Sequence, residues 1–245
     1  MLAQTGSFPH GPAMPAHAAE LRPDFRHVDA WIFDLDNTLY RADSDLFAQI
    51  DVRMSSYVAD FLSVPLDEAR RIQKDYYRDH GTTLNGLIKI HDADPEPFLA
   101  HAHDIDLSVL APDEALNAAI AQLPGRRFVL TNGCRNHAAR VLDRIGLTDV
   151  IDDIWDIRAM EFRPKPDPAA YETLIHRAAI APARAAMFED LARNLVPARE
   201  LGMSTVWLNN GSHWSRQGPT HPIVETHHID YETDDLATFL KSIRI

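Results

Sequence analysis

The sequence predicts an α/β protein: a parallel sheet with helices on both faces, interrupted by an all-helical insertion. Three observations predict it. Short apolar runs recur at 30–35, 128–131, 185–188 and 205–208, each of strand length. Helical patterns separate the last three, and strand–helix alternation implies parallel strands covered on both sides. Between the first run and the second, residues 43–120 carry helical periodicity and no strand-like alternation.

Residues 1–27 are rich in Pro, Ala, Gly and His and hold no period, which predicts a disordered N-terminal tail. The core is then 28–42 and 121–245, with the helical block at 43–120. Trp31-Ile32-Phe33 opens the first strand. A helix follows from Ser44, with Phe47, Ile50, Met54, Tyr57, Val58 and Phe61 on one face, and Pro65 breaks it. Asp67-Glu68 opens a second helix to about Asp79. A third covers Leu84–Ile90. Asp94-Pro95 caps and starts a fourth, to about His103, and 113–122 form another. Strand 128–131 precedes helix Arg135–Ile145, which Gly146 ends. Ile154–Ile157 reads as a short strand, and Asp167-Pro168 starts a helix to about Ala179. Ala185–Phe188 is a strand running into Glu189-Asp190. Asn194 caps the next helix, with Pro197 harmless in its first turn, and Gly202 ends it. Thr205–Leu208 is a strand and 234–243 a terminal helix.

The chain has 245 residues and a formal net charge of −12. That balance lacks the basic footprint of proteins that bind nucleic acid polymers and tells against anionic membrane surfaces. Any bound phosphate must be met by a metal, a lysine or backbone amides. Cys134 is the single cysteine, so no intrachain disulfide is possible, which fits a reducing compartment. It reads as packed and inert. No run of about 18 apolar residues suggests a spanning helix, and no basic start with an apolar stretch suggests a secretory signal. The expectation is a cytoplasmic monomer or homodimer.

Chemistry concentrates at the strand ends. Asp34 and Asp36 stand two apart, so both leave the strand end toward one side, and Asn37-Thr38 are turn formers. Thr131-Asn132-Gly133, Lys165, and Glu189-Asp190 follow strands that must share an edge with them. Ligands of open α/β sheets bind beyond that edge. Crowded carboxylates need a counter-charge, and hard oxygens of this kind suit Mg2+ together with a substrate phosphate. His101 with His103, and His227 with His228, read as solvated or hydrogen-bonded, because no third ligand is spaced to join them. Tyr76-Tyr77 and the aromatics of 47–61 read as packing within the helical block.

Phe33-Asp34-Leu35-Asp36-Asn37-Thr38-Leu39, Thr131-Asn132-Gly133, Lys165 within Arg163-Pro164-Lys165-Pro166-Asp167-Pro168, and Phe188-Glu189-Asp190 together resemble the four motifs of the haloacid dehalogenase (HAD) superfamily, in the expected order. The resemblance implies a Rossmann-like, HAD-like core and an all-helical cap domain over the site. It implies a phosphoric monoester hydrolase in which Asp34 is the nucleophile, Asp36 the acid and then the base, and Thr131 and Lys165 hold the phosphate oxygens. Mg2+ would be held by Asp34, the backbone carbonyl of Asp36 and Asp190, with Glu189 acting through water. The dehalogenases need no acid two residues after the nucleophile, so Asp36 favours phosphate esters.

Tyr40, the run Tyr77–Leu87, and Thr131–Leu142 further resemble the pyrimidine 5′-nucleotidase branch, whose substrates are nucleoside monophosphates. By type and position His80, Thr82, Thr83 and Asn85, with Asn132 and Gly133, are the expected substrate contacts. The alternatives are a broad-specificity phosphatase of sugars and small metabolites, a phosphomutase, or a catalytically silent protein of the same fold.

Overall fold

The apolar runs assemble into one sheet. The computed structural model describes residues 22–210 and 226–245. Its six strands are β1 (Ala30–Phe33), β2 (Arg126–Leu130), β3 (Asp153–Trp155), β4 (Ala185–Glu189), β5 (Ser204–Leu208) and β6 (Tyr231–Thr233). All pair in parallel, in the order β3-β2-β1-β4-β5-β6. β1 is central, with Ala30 in register with Arg126 on one side and Ala185 on the other. A strand covered on both faces has no wet side, so Ala30-Trp31-Ile32-Phe33 is buried without alternation. Chain order runs outward from β1 in both directions. The switch point, where such sheets bind ligands, therefore lies between β1 and β4.

Four helices follow β1: α1 (Leu46–Leu62), α2 (Leu66–His80), α3 (Thr83–His91) and α4 (Pro95–Ala102). α1 packs on α2 and α4, and α2 on α3. The α2–α3 approach is close enough to demand glycine: a Cβ on Gly86 would lie 2.3 Å from Tyr76 Cγ. Asp94 caps α4 as expected, accepting from the Glu96 N–H at 3.0 Å. α5 (Glu114–Ala121), the last helix of block 43–120, packs on the C-terminal helix, α9 (Leu236–Ser242), and buries Leu116, Ala119 and Ile120 in one cluster with Leu236, Phe239 and Leu240. The remaining helices are α6 (Arg135–Ile145), α7 (Pro168–Arg177) and α8 (Leu195–Glu200).

Some features departed from the sequence reading. The expected tail lies outside the described residues up to 21, but its last part is packed: Asp24 bridges Arg244 and Phe25 is fully buried. One aromatic among polar neighbours carries no period, so periodicity missed it. β6 is a strand that the apolar pattern does not predict, because Tyr231-Glu232-Thr233 is a short, half-exposed edge with no apolar run. Asn194 precedes α8 but does not cap it; its amide is engaged in the site. Among the described residues no helix is long and apolar enough to cross a membrane.

Candidate active site

Asp34 is one residue beyond β1, and its N–H still donates to the Phe188 carbonyl at 2.9 Å. The ladder thus fixes its position from β4. Leu35 turns inward and is buried. Asn37 then takes a left-handed conformation, φ 63°, which a short polar side chain tolerates. That turn brings Tyr40 back over the strand end, where its hydroxyl donates to Asp36 Oδ1 at 2.7 Å. At the end of β2, Thr131 continues the ladder through its N–H to Trp155 O at 2.9 Å. Its Oγ1 accepts from the Gly133 N–H at 3.0 Å, so the hydroxyl proton is left to donate elsewhere.

Lys165 enters from the loop after β3, between Pro164 and Pro166, with a cis Lys165–Pro166 bond. Its backbone is clamped by Asn132: the Lys165 N–H donates to Asn132 Oδ1 at 2.8 Å, and Asn132 Nδ2 donates to the Lys165 carbonyl at 3.1 Å. The ammonium is 1% exposed and bridges Asp34 Oδ1 (2.6 Å) and Glu189 Oε2 (2.7 Å). Glu189 Oε1 accepts from Asn194 Nδ2 at 3.0 Å and the Leu191 N–H at 3.3 Å, so both its oxygens are held by the protein. Asp190 is fixed through its carbonyl, which accepts from Trp207 Nε1 at 2.9 Å.

Oxygens of Asp34, Glu189 and Asp190 lie within 4.8 Å of one another, all buried. Burial, and then the charge of Glu189, pushes the Asp34 carboxyl up to about 7 against the pull of Lys165. The same two causes push Asp190 well up. Burial opposes the charge on Lys165, but Asp34 and Glu189 outweigh it and raise its pKa. Three buried acids facing one ammonium leave uncompensated negative charge. Hard oxygens with an excess of anionic charge fit a small divalent cation such as Mg2+.

Asp36 faces the same cavity, with its side chain 16% exposed. Besides Tyr40 it has a second partner the sequence reading did not assign: His137 Nε2 lies 3.0 Å from Asp36 Oδ1. Burial would raise the Asp36 carboxyl, but His137 and Tyr40 outweigh burial and hold it below its usual range. His137 stacks on His103, ring centres 4.4 Å apart, and His103 Nδ1 is 3.2 Å from Cys134 Sγ. Burial, then His137, lowers the His103 imidazole to about 3. A hydrogen-bond donor in the first turn of the helix that follows a strand-end motif is a signal that would have pointed to His137. The Tyr40 hydroxyl, four residues past Asp36 across a turn, was the other.

Asp34, Asp36, Thr131, Asn132, Gly133, Lys165, Glu189 and Asp190 all line one cavity. Of the expected contacts from the helical block, Thr82 and Thr83 line it too. Thr82 Oγ1 caps α3, accepting from the Asn85 N–H at 3.1 Å. His80 stands edge-on to Tyr76 and Asn85 is buried; neither is among the lining residues. The side chain of Asn132 serves Lys165 rather than facing a ligand. The helical block lines the same cavity with apolar side chains, Phe47, Ile50 and Met54 from α1, Leu84 from α3, Phe98 and Leu99 from α4, and with the polar Asp51, Gln73 and Lys74. Tyr77 of α2 also lines it and carries Arg193 over its ring at 4.4 Å, tying the helical block to the loop after β4.

Comparison with known proteins bears on this arrangement. The family model described as haloacid dehalogenase-like hydrolase matches residues 28–202. Phosphate metabolism protein 8 of Saccharomyces cerevisiae is 29% identical over 194 residues, which is 72% of this chain and 60% of that protein. The chain thus spans less than two thirds of that relative's length. A HAD phosphatase from Thermococcus onnurineus superimposes with a TM-score of 0.56 at 20% identity, covering 89% of this chain and all (100%) of that one. The L-2-haloacid dehalogenase of Xanthobacter autotrophicus with chloropropionic acid covalently bound gives 0.53 at 17% identity, over 87% and 97% of the two chains. Such identities bear on fold alone. A phosphatase and a dehalogenase share it, so the reaction has to be argued from residues.

Proposed function

The chain belongs to the haloacid dehalogenase-like hydrolase family, and from that premise we propose that it hydrolyses phosphomonoesters through an aspartyl phosphate on Asp34. One observation carries this reading over dehalogenation: Asp36 shares the cavity with Asp34 as a hydrogen-bonded carboxylate. A halide leaves without a proton and has no use for it. An ester oxygen needs one.

Lys165 occupies Asp34 Oδ1, so Oδ2 attacks phosphorus. The O–P bond to Asp34 forms as the ester P–O bond breaks, and the leaving oxygen takes a proton from Asp36. Arrival of an anionic phosphate beside Asp36 favours its protonated form. Water then attacks the phosphoryl group, Asp36 receives the proton, and the Asp34–phosphorus bond breaks. Lys165 and the Thr131 hydroxyl meet the non-bridging oxygens. Mg2+, held by Asp34, Asp190 and the Asp36 carbonyl with Glu189 behind them, would neutralise charge between nucleophile and phosphate. Glu189, with both oxygens engaged, orients Lys165.

Within this reading the block 43–120 acts as a cap, and the substrate is a nucleoside 5′-monophosphate, pyrimidine nucleotides first, met in the cytoplasm. The apolar side chains among the lining residues support that choice, since they suit the face of a base better than a bare sugar. A phosphate-release screen with Mg2+ tests it across UMP, CMP, AMP, ribose 5-phosphate and glycerol phosphate, with halide release from 2-chloropropionate in parallel. Preference for UMP or CMP is expected. A flat profile reduces the reading to a general phosphatase, and halide release without phosphate release overturns it.

A further inference from the structure

His137 is a fully buried imidazole whose polar bonding is unexplained by packing. Among the described residues its single hydrogen-bond partner is Asp36, through Nε2, and its Nδ1 has none. A hydrophobic residue of that volume would cost less to bury unless the one bond matters. The bond is aimed with care. His137 Nε2 and the Tyr40 hydroxyl both reach the same oxygen, Asp36 Oδ1, at 3.0 and 2.7 Å. A carboxylate pinned by two donors on one oxygen cannot rotate freely, and its other oxygen, Oδ2, is left for the proton that is exchanged. The ring of His137 is itself held, face to face with His103 at an interplanar angle of 12°. His103 closes α4, so the stack joins the helical block to the acid.

We propose that His137 is a positioning residue of the reaction: with Tyr40 it fixes the Asp36 carboxyl so that Oδ2 meets the leaving oxygen. This rests on the phosphomonoesterase reading, in which Asp36 transfers that proton. Alkyl phosphates such as UMP or ribose 5-phosphate expel an alkoxide and need the proton. p-Nitrophenyl phosphate expels a phenolate stable without one. A misplaced Asp36 should therefore slow the first class and spare the second.

The experiment compares kcat/KM, which reports events through release of the leaving group, for UMP and for p-nitrophenyl phosphate. His137→Leu is expected to lower the UMP value about 10- to 100-fold and the p-nitrophenyl phosphate value by no more than a few-fold. His137→Gln, which keeps an N–H donor, should recover most of the loss. Tyr40→Phe removes one hydroxyl from the same oxygen and should show the same selectivity; it serves if His137→Leu does not fold. Equal losses on both substrates, or no loss on either, overturn the proposal. Asp36→Asn run alongside separates the two layers. If it is selective while His137→Leu and Tyr40→Phe are not, only the positioning role falls. If the wild type releases phosphate from neither ester, the phosphomonoesterase reading falls.

Discussion

Lys165 Nζ lies 2.6 Å from Asp34 Oδ1, a buried ammonium resting on the carboxylate that the proposed reaction uses as nucleophile. Among the described residues it is the one cation in salt-bridge contact with the buried cluster Asp34, Glu189 and Asp190.

Removing it should be costly. Lys165→Met leaves those acids without their cation, and loss of one partner of a buried pair costs about 3–5 kcal/mol. Urea unfolding at about pH 8 in chelator should show that loss, and it should narrow as pH falls and the acids take up protons. Unchanged stability at pH 8 would mean the cluster is less crowded than its geometry indicates.

Asp34→Asn should act in the opposite direction on stability while abolishing turnover. The Asp34 carboxyl is raised to about 7, so the folded protein keeps a proton that the unfolded chain releases near pH 4. Stability from this group is present at low pH and falls as pH rises through 7. A neutral amide removes that penalty. In EDTA at about pH 8 the variant should gain on the order of 1–2 kcal/mol, read as a higher melting temperature.

Divalent cation should stabilise the same cluster without any substrate present. Wild-type protein freed of metal should melt higher when Mg2+ is added, by about 2.7 kcal/mol at a hundredfold excess over Kd. Asp190→Asn should respond far less. Equal shifts in the two proteins would place the cation elsewhere.

His103 predicts an acid sensitivity of separate origin. Its imidazole is lowered to about 3, so below roughly pH 6.5 the unfolded chain binds a proton that the folded one refuses. The stability it allows above pH 6.5 is lost progressively down to pH 3. From about pH 7.5 to about pH 5 this amounts to roughly 2 kcal/mol at one pH unit per 1.36 kcal/mol. His103→Phe keeps an aromatic ring on His137 but cannot be protonated, so its urea midpoint should fall less over that range.

Much of this site was legible because each part follows a strand. Asp34, Thr131 and Glu189-Asp190 announce themselves by ending apolar runs, and a parallel sheet brings such ends together whatever the loops do. Lys165 was legible from its proline frame. What could not be read were bonds between elements far apart in sequence. Asn132 meets Lys165 through turns whose direction no local pattern specifies, and the first turn of α6 marks His137 as a donor near the site without naming Asp36 as its partner. Asn194 has the composition of a cap, yet its amide goes to Glu189, since the buried carboxylate needed a donor more than the short helix α8 needed a cap. The apolar residues of α1 showed a helical face, but periodicity does not say whether that face meets a helix or a cavity.

The central place of β1 bears on how the protein is made. Of the six strands, β1 leaves the ribosome first, yet Ala30 pairs with Arg126 and Ala185. Until Arg126 has been made, Trp31-Ile32-Phe33 has no native neighbour along either edge, and until residue 165 Asp34 has no lysine. The most apolar segment of the sheet is thus the one that waits longest for its partners, and over that interval its side chains stay uncovered by native neighbours.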